Sequence, residues 1–169
     1  MIESIPYVLT GIGIIASILY YTSVLRNSDL TRRTQLLLNV KQQMDTPEFW
    51  YRHNKVMRTY EWENNDDFNE KYGQETNPEA LSEIMSVAAF FNGIGVLVAT
   101  DRVDIELLGM HLGNMPVVAW NKLESIINEY RKTGPLAYCY FEYLKDVRLE
   151  SEYRVRGNAS YLNERLLPA

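Results

Sequence analysis

Residues 5–25 run for 21 positions without one charged side chain, and nothing else in the chain limits its fold as strongly. At about 1.5 Å rise per residue, a helix of that length matches a hydrocarbon core roughly 30 Å thick. Tyr7 lies near one end and Tyr20 with Tyr21 near the other, where a ring with a polar tip suits the headgroup boundary. Pro6 falls in the first turn, where its missing amide hydrogen costs nothing. A cleavable signal peptide would want a basic start, a shorter apolar run and a small-residue cleavage site, whereas here Glu3 is the only early charge. A buried core helix would usually be apolar over a shorter stretch. The stretch predicts a transmembrane helix at about 5–25 within an anchor of residues 1–28, in contact with the lipid bilayer.

Positive flanks resist translocation, so Lys and Arg set the direction of such an anchor. Arg26, Arg32, Arg33 and Lys41 stand against Asp29 over residues 26–41, a net +3, while the N-terminal flank holds Glu3 and no basic side chain. The expectation is a single-pass protein of the cell membrane, N-terminus outside and C-terminal domain cytoplasmic. The remaining residues, 42–169, carry 13 basic and 20 acidic side chains. The basic collar orients the anchor, and it can also attract anionic headgroups by about 1 kcal/mol per residue at the membrane surface. Gly13 and Ser17, with Gly11 and Ala16 nearby, offer a small surface for close helix approach. They make the anchor, like the juxtamembrane helix after it, a candidate seam for a homo-oligomer.

Beyond the collar the pattern is helical throughout. Leu36, Leu37, Val40 and Met44 share one side of a juxtamembrane helix over 30–44, with Asn27-Ser28-Asp29 as the one candidate break before it. Thr46-Pro47-Glu48 reads as cap, first-turn proline and acidic residue of a new helix. Phe49, His53, Val56, Met57 and Tyr60 form its core stripe, and His53 reads as a packed, hydrogen-bonded histidine rather than a metal ligand. The run from Glu61 to Asp67 reads as a solvated connection, since its order does not match a calcium loop. Asn77-Pro78 opens a helix to about Val98 that is apolar on most sides and therefore central. Within it, Asn92-Gly93-Ile94-Gly95 lacks the third glycine of a dinucleotide fingerprint and predicts close helix-to-helix approach. Asp104 caps a short helix ending near Gly113, Met115-Pro116 opens another, and Thr133-Gly134-Pro135 stops it. A last helix is expected over about 136–152, followed by a polar tail, 153–169, frayed apart from at most one helical turn. Asn158-Ala159-Ser160 in that tail has glycosylation spacing, which a cytoplasmic face leaves unmodified. The fold class is thus all-α: an N-terminal transmembrane helix, then a cytoplasmic bundle of about five to six helices over 29–152.

Motifs that carry chemistry are missing. Cys139 is the only cysteine, which removes disulfide frameworks and thiolate zinc sites and leaves a small packing residue. His53 and His111 belong to no paired-ligand spacing. No phosphate-binding loop or nucleophile elbow occurs, so no catalytic, cofactor or metal residue is assigned. A formal charge of -5 argues against nucleic acid as a partner. Aromatic residues, by contrast, are abundant. Trp50, Trp62, Tyr138, Tyr140 and Tyr143 are candidates for a protein-docking patch, because Tyr and Trp bring large contact area with a polar tip; the alternative is that such rings fill the core. A second class of function, an enzyme or small-ligand sensor, would use a pocket between helices near Gly93, Gly95, His111 and Trp120.

The order of Thr46-Pro47-Glu48-Phe49-Trp50, Phe90-Phe91-Asn92-Gly93-Ile94-Gly95-Val96-Leu97-Val98, Asp104-Ile105-Glu106-Leu107, Trp120 and Phe141-Glu142-Tyr143-Leu144 behind an apolar anchor resembles a family of short prokaryotic proteins of unknown function. The likeness spans about Leu30 to Leu149. It implies one membrane anchor with a helical cytoplasmic domain and transfers no activity. The leading expectation is a membrane-anchored helical adaptor or scaffold that binds a protein partner.

Overall fold

The computed structural model describes the backbone of residues 5–166 and the side chains of residues 13–152. Seven helices and no strand occur among the described residues: α1 (Ile5–Met44), α2 (Pro47–Asn54), α3 (Asn65–Tyr72), α4 (Pro78–Ala99), α5 (Ile105–Leu112), α6 (Met115–Arg131) and α7 (Cys139–Leu166). One wide π-type turn, Lys55–Thr59, extends α2. The all-helical expectation holds. The side chains of Pro6, Tyr7 and Gly11, and those of the polar tail with Asn158, lie outside the described residues.

Local chemistry explains the helix starts. The Thr46 hydroxyl accepts from the Phe49 amide at 3.2 Å, the Asn77 side chain from Ala80 at 3.1 Å, and the Asp104 carboxylate from Glu106 and Leu107 at 2.7 and 3.1 Å. Each satisfies amides that the first turn leaves unpaired. The same rule corrects the expected connection over residues 61–67. Asn64 accepts from both Asp66 and Asp67, these two acids sit on the positive end of α3, and Phe68 anchors the helix in the core at 2 % exposure. Acidic residues that looked like a solvated loop are a helix start.

Three other boundaries differ from expectation. Asn27-Ser28-Asp29 does not break α1, which runs on as one helix through the expected anchor boundary at residue 28. There the Thr31 hydroxyl donates back to the Asn27 carbonyl and Arg33 pairs with Asp29 one turn away, so the polar residues are satisfied within helical geometry. α6 ends at Arg131, before Gly134, on turns through Lys132 and Thr133. α7 begins at Cys139 rather than Leu136, because Tyr138 takes a left-handed conformation with φ 53°, and its backbone stays helical to Leu166, beyond the expected end near 152.

α4 is the centre of the domain. It packs most extensively on α7 and also meets α2, α3 and α6. Ala80, Leu81, Ile84, Val87, Ala88, Phe91 and Ile94 are all buried along it. Among the described residues it is the helix long and apolar enough to cross a membrane, yet its apolar sides face other helices, as a core helix requires. Gly95 sets its contact with α7: a Cβ there would lie 1.8 Å from the Tyr140 carbonyl oxygen. Three residues earlier, the Asn92 side chain accepts from the Phe141 amide at 3.2 Å and so caps the start of α7. Phe141 then stacks on Phe91, ring centroids 5.3 Å apart, with Trp120 of α6 edge-on to it at 5.2 Å. The Asn92-Gly93-Ile94-Gly95 segment is a helix-docking device, as its glycines predicted, except that Gly93 faces open space and takes no part.

Candidate functional site

Two surfaces stand out, both attached to α1. The first is α1 itself. Its last turns dock: Val40 and Met44 are buried, and Leu36 and Leu37 pack against the core. This is the helical stripe that the sequence placed over 36–44. Toward the N-terminus contact ceases. Ile14, Ile15, Ile18, Leu19, Tyr20, Tyr21, Val24 and Leu25 are 44–70 % exposed, an apolar cylinder that the domain does not cover. Isolated exposed apolar residues are ordinary, but a continuous patch needs a partner.

The basic collar below this cylinder splits in two. Arg33 bridges Asp29 at 3.1 Å and Asp101, in the turn after α4, at 3.0 Å; the Asp101 contact first, then Asp29, raises its pKa. Lys41 is paired with Asp45, just past the end of α1. Arg26 and Arg32 are exposed to solvent. Only part of the collar is therefore presented outward, Arg33 ties α1 to the domain, and Lys41 is held locally.

The second surface lies where α2 and its π turn meet α4. Phe49 packs on Phe90 with centroids 4.7 Å apart, which leaves Trp50 and Tyr51 of the same turn exposed. Beside them Lys55 Nζ contacts Glu83 at 2.7 Å, and the Tyr60 hydroxyl donates to the same carboxylate. Burial works to raise the Glu83 pKa, but the bonds from Lys55 and Tyr60 outweigh it and hold the carboxyl below its usual range. Arg52 reaches Ser86 at 3.2 Å. Glu48, Tyr51, Arg52 and Glu83 line a surface hollow of about 400 Å³. A π turn places an extra residue in one helical turn and is often associated with functional positions; here it swings Tyr60 back onto Glu83.

His53, next to this cluster, corrects an expectation. It is packed, at 8 % exposure, against Phe49, Trp50 and Phe91, but neither ring nitrogen has a hydrogen-bond partner among the described residues. Surrounding rings supply no lone pair in reach. Burial first, and the positive charge of Arg58 second, lower its pKa.

The remaining sequence candidates are scattered. Trp62 is half-buried, edge-on to Phe68 at 5.2 Å with Lys122 over its face, and Tyr138 is half-buried against the core, where burial raises its hydroxyl pKa. Tyr140 and Tyr143 are exposed. The candidate docking set thus divides into core rings (Trp62, Tyr138) and surface rings (Trp50, Tyr140, Tyr143). Of the residues considered for a pocket, Gly95 is closed against α7, Trp120 is buried, and Gly93 and His111 are on the surface. Sequence reasoning missed the Lys55–Glu83–Tyr60 cluster, whose members lie 28 and 23 positions apart and share no motif.

Other hollows lie elsewhere, one of about 370 Å³ lined by Glu61, Trp62, Glu63, Lys71 and Lys122. One of about 250 Å³ lies between α3 and α6 over Phe68 and Ile126, where the Asn65 amide donates to Glu129 at 3.0 Å. Another of about 250 Å³ lies between α1 and α5, lined by Leu30, Arg33, Thr34, Leu37, Val103, Asp104 and Leu107.

Comparison with known proteins yields one match. The model of a family described as a domain of unknown function (DUF4760) matches residues 7–147. No curated protein and no solved structure matches the chain.

Proposed function

The chain belongs to the DUF4760 family, which passes on no activity, and from the surfaces just described we propose a single-pass membrane protein that holds a helical adaptor or scaffold domain at the bilayer. The observation that carries this reading is the uncovered cylinder of α1, eight large apolar side chains from Ile14 to Leu25 in register with a docked end at Val40 and Met44. Residues 5–25 cross the membrane, and Arg26 and Arg32 sit at its inner surface with the domain in the cytoplasm. The family match begins at residue 7 and so takes in most of the apolar stretch. Trp50, Tyr140 and Tyr143 are the rings left to meet a protein partner.

Fractionation tests the anchor. The full-length protein stays with membranes through a high-salt and alkaline wash, and protease added outside intact cells leaves the domain whole. Recovery in the aqueous supernatant overturns the anchor, and digestion of the domain from outside overturns its direction. For the docking rings, Trp50→Ala and Tyr140→Ala variants that stay folded lose a cross-linked partner held by the wild type; retention of the partner by both removes these rings from the interface.

A further inference from the structure

Helix α5 carries an apolar face that the fold does not use. Ile105, Leu108 and Leu112 turn inward, while Leu107 and Met110, three positions apart and thus on one side of the helix, are 51 % and 76 % exposed. The position of this face is unusual. The start of α5 packs beside α1 across the hollow lined by Leu30, Leu37, Val103 and Leu107 together with polar Arg33, Thr34 and Asp104, and Asp101, just before it, is tied to Arg33. Exposed Leu30 on α1 and Leu107 on α5 thus border one hollow, and Met110 lies about one turn further along α5. Leu30 lies only five residues past Leu25, about 7.5 Å along a helix axis, and the headgroup layer on each side of the hydrocarbon is roughly 5–7 Å deep. A tilt of about 20° toward α5, ordinary for a single span, brings α5 nearer that layer.

We infer that α5 is a second membrane contact, inserting Leu107 and Met110 into the headgroup boundary of the leaflet that α1 enters. The inference rests on the anchor reading and deepens it: the domain lies against the lipid surface instead of hanging from a free stalk. Charge does not drive the contact. Arg26, Arg32 and Arg102 face outward nearby, but Asp104 and Glu106 stand among them and Asp101 offsets Arg33. Apolar burial is what holds α5 there, so the contact persists in neutral lipid and at high salt.

Native methionines report on this directly. The full-length protein, methyl-labelled at methionine, is placed in phosphatidylcholine nanodiscs with and without lipid spin-labelled near the glycerol backbone. Met85 serves as the distant reference, 16 residues before Asp101 and about 24 Å further along α4. A Leu19→Met variant reports the anchor itself. The expected result is several-fold stronger broadening of Met110 than of Met85, unchanged by salt, together with broadening of the methyl at position 19. Broadening at 19 with Met110 no different from Met85 overturns the second contact and leaves the anchor standing. An unbroadened position 19 overturns the anchor, and the α5 contact falls with it. The double variant Leu107→Ser and Met110→Ser releases the domain, lowering the broadening of Met115 in the following helix while the resonance at 19 is unaffected.

Discussion

The stretch of α1 from Ile14 to Leu25 and helix α4 are both rich in large apolar side chains and use them in opposite ways. α4 turns Ile84, Val87, Phe91 and Ile94 into the domain and meets four other helical elements. α1 keeps Ile14 to Leu25 outside the fold and commits only its last turns. What separates these two stretches is the company of the apolar residues. α4 has small residues where a neighbour must come close, Gly95 above all, and a polar residue, Asn92, positioned to cap that neighbour. The exposed half of α1 has small residues too, yet an added Cβ on Gly13 would meet nothing within 4 Å. A helix fashioned for a protein core has sockets for particular side chains, and on the anchor reading proposed above the exposed half of α1 needs none.

The sharpest way to break this contrast is to charge both helices. Ile84 is fully buried and Ile18 is 59 % exposed. Aspartate at position 84 puts an unpaired carboxylate in the core and destabilises the domain by more than about 4 kcal/mol, seen as an unfolded far-UV spectrum or a lost denaturation transition. Ile18→Asp leaves the transition in mild detergent where it was and shifts the protein out of the membrane fraction instead. Equal loss of folding in both variants would mean that the exposed half of α1 is needed by the domain.

Glycine substitutions sharpen the contrast at the next level. Gly95→Val drives its side chain into the Tyr140 backbone and forces α4 and α7 apart, a loss of about 3 kcal/mol or more that a chemical denaturation curve resolves. Gly13→Val leaves that curve in place. Should it dissociate a dimer observed in detergent, Gly13 and Ser17 form the helix seam that their spacing suggests; should oligomeric state hold, that seam is excluded.

How much of this could be read from the chain depended on whether a signal was local. Caps and prolines are local, so Thr46-Pro47, Asn77-Pro78, Asp104 and Met115-Pro116 were each placed where helices start. Helical periodicity is also local, which is why the stripe through Val40 and Met44 and the central place of α4 were legible. α3 was hidden because Asn64, Asp66 and Asp67 suit a solvated loop and a helix start alike, and the deciding fact, Phe68 reaching the core, is tertiary. The division of the aromatic residues was hidden for the same reason: Trp50 and Trp62 lie on the same chain 12 positions apart, and only the packing of α3 covers one of them. The Lys55–Glu83–Tyr60 cluster joins two elements across the fold, and composition and spacing carry no trace of it.

His53 gives the smallest and most specific test, because α2 meets both α1 and α4. Its ring is buried among Phe49, Trp50 and Phe91 with both nitrogens unsatisfied, and its pKa in the folded protein is lowered, by burial before Arg58. In the unfolded chain the ring titrates near 6.5. The sign follows: above about pH 6.5 both states hold a neutral ring and stability is full, while below it the unfolded state binds the proton first and stability falls until the folded pKa is passed. Replacing His53 by Phe removes two orphaned nitrogens and adds apolar contact, a gain of about 1 kcal/mol at neutral pH, and it flattens the decline between pH 6.5 and 5. Urea midpoints for the two proteins across that range provide the measurement. Parallel curves would show that some other group governs the acid limb, and a loss of stability in the Phe variant at neutral pH would show that the ring nitrogens are bonded in solution, so that the α2 seat under α1 is polar instead of dry.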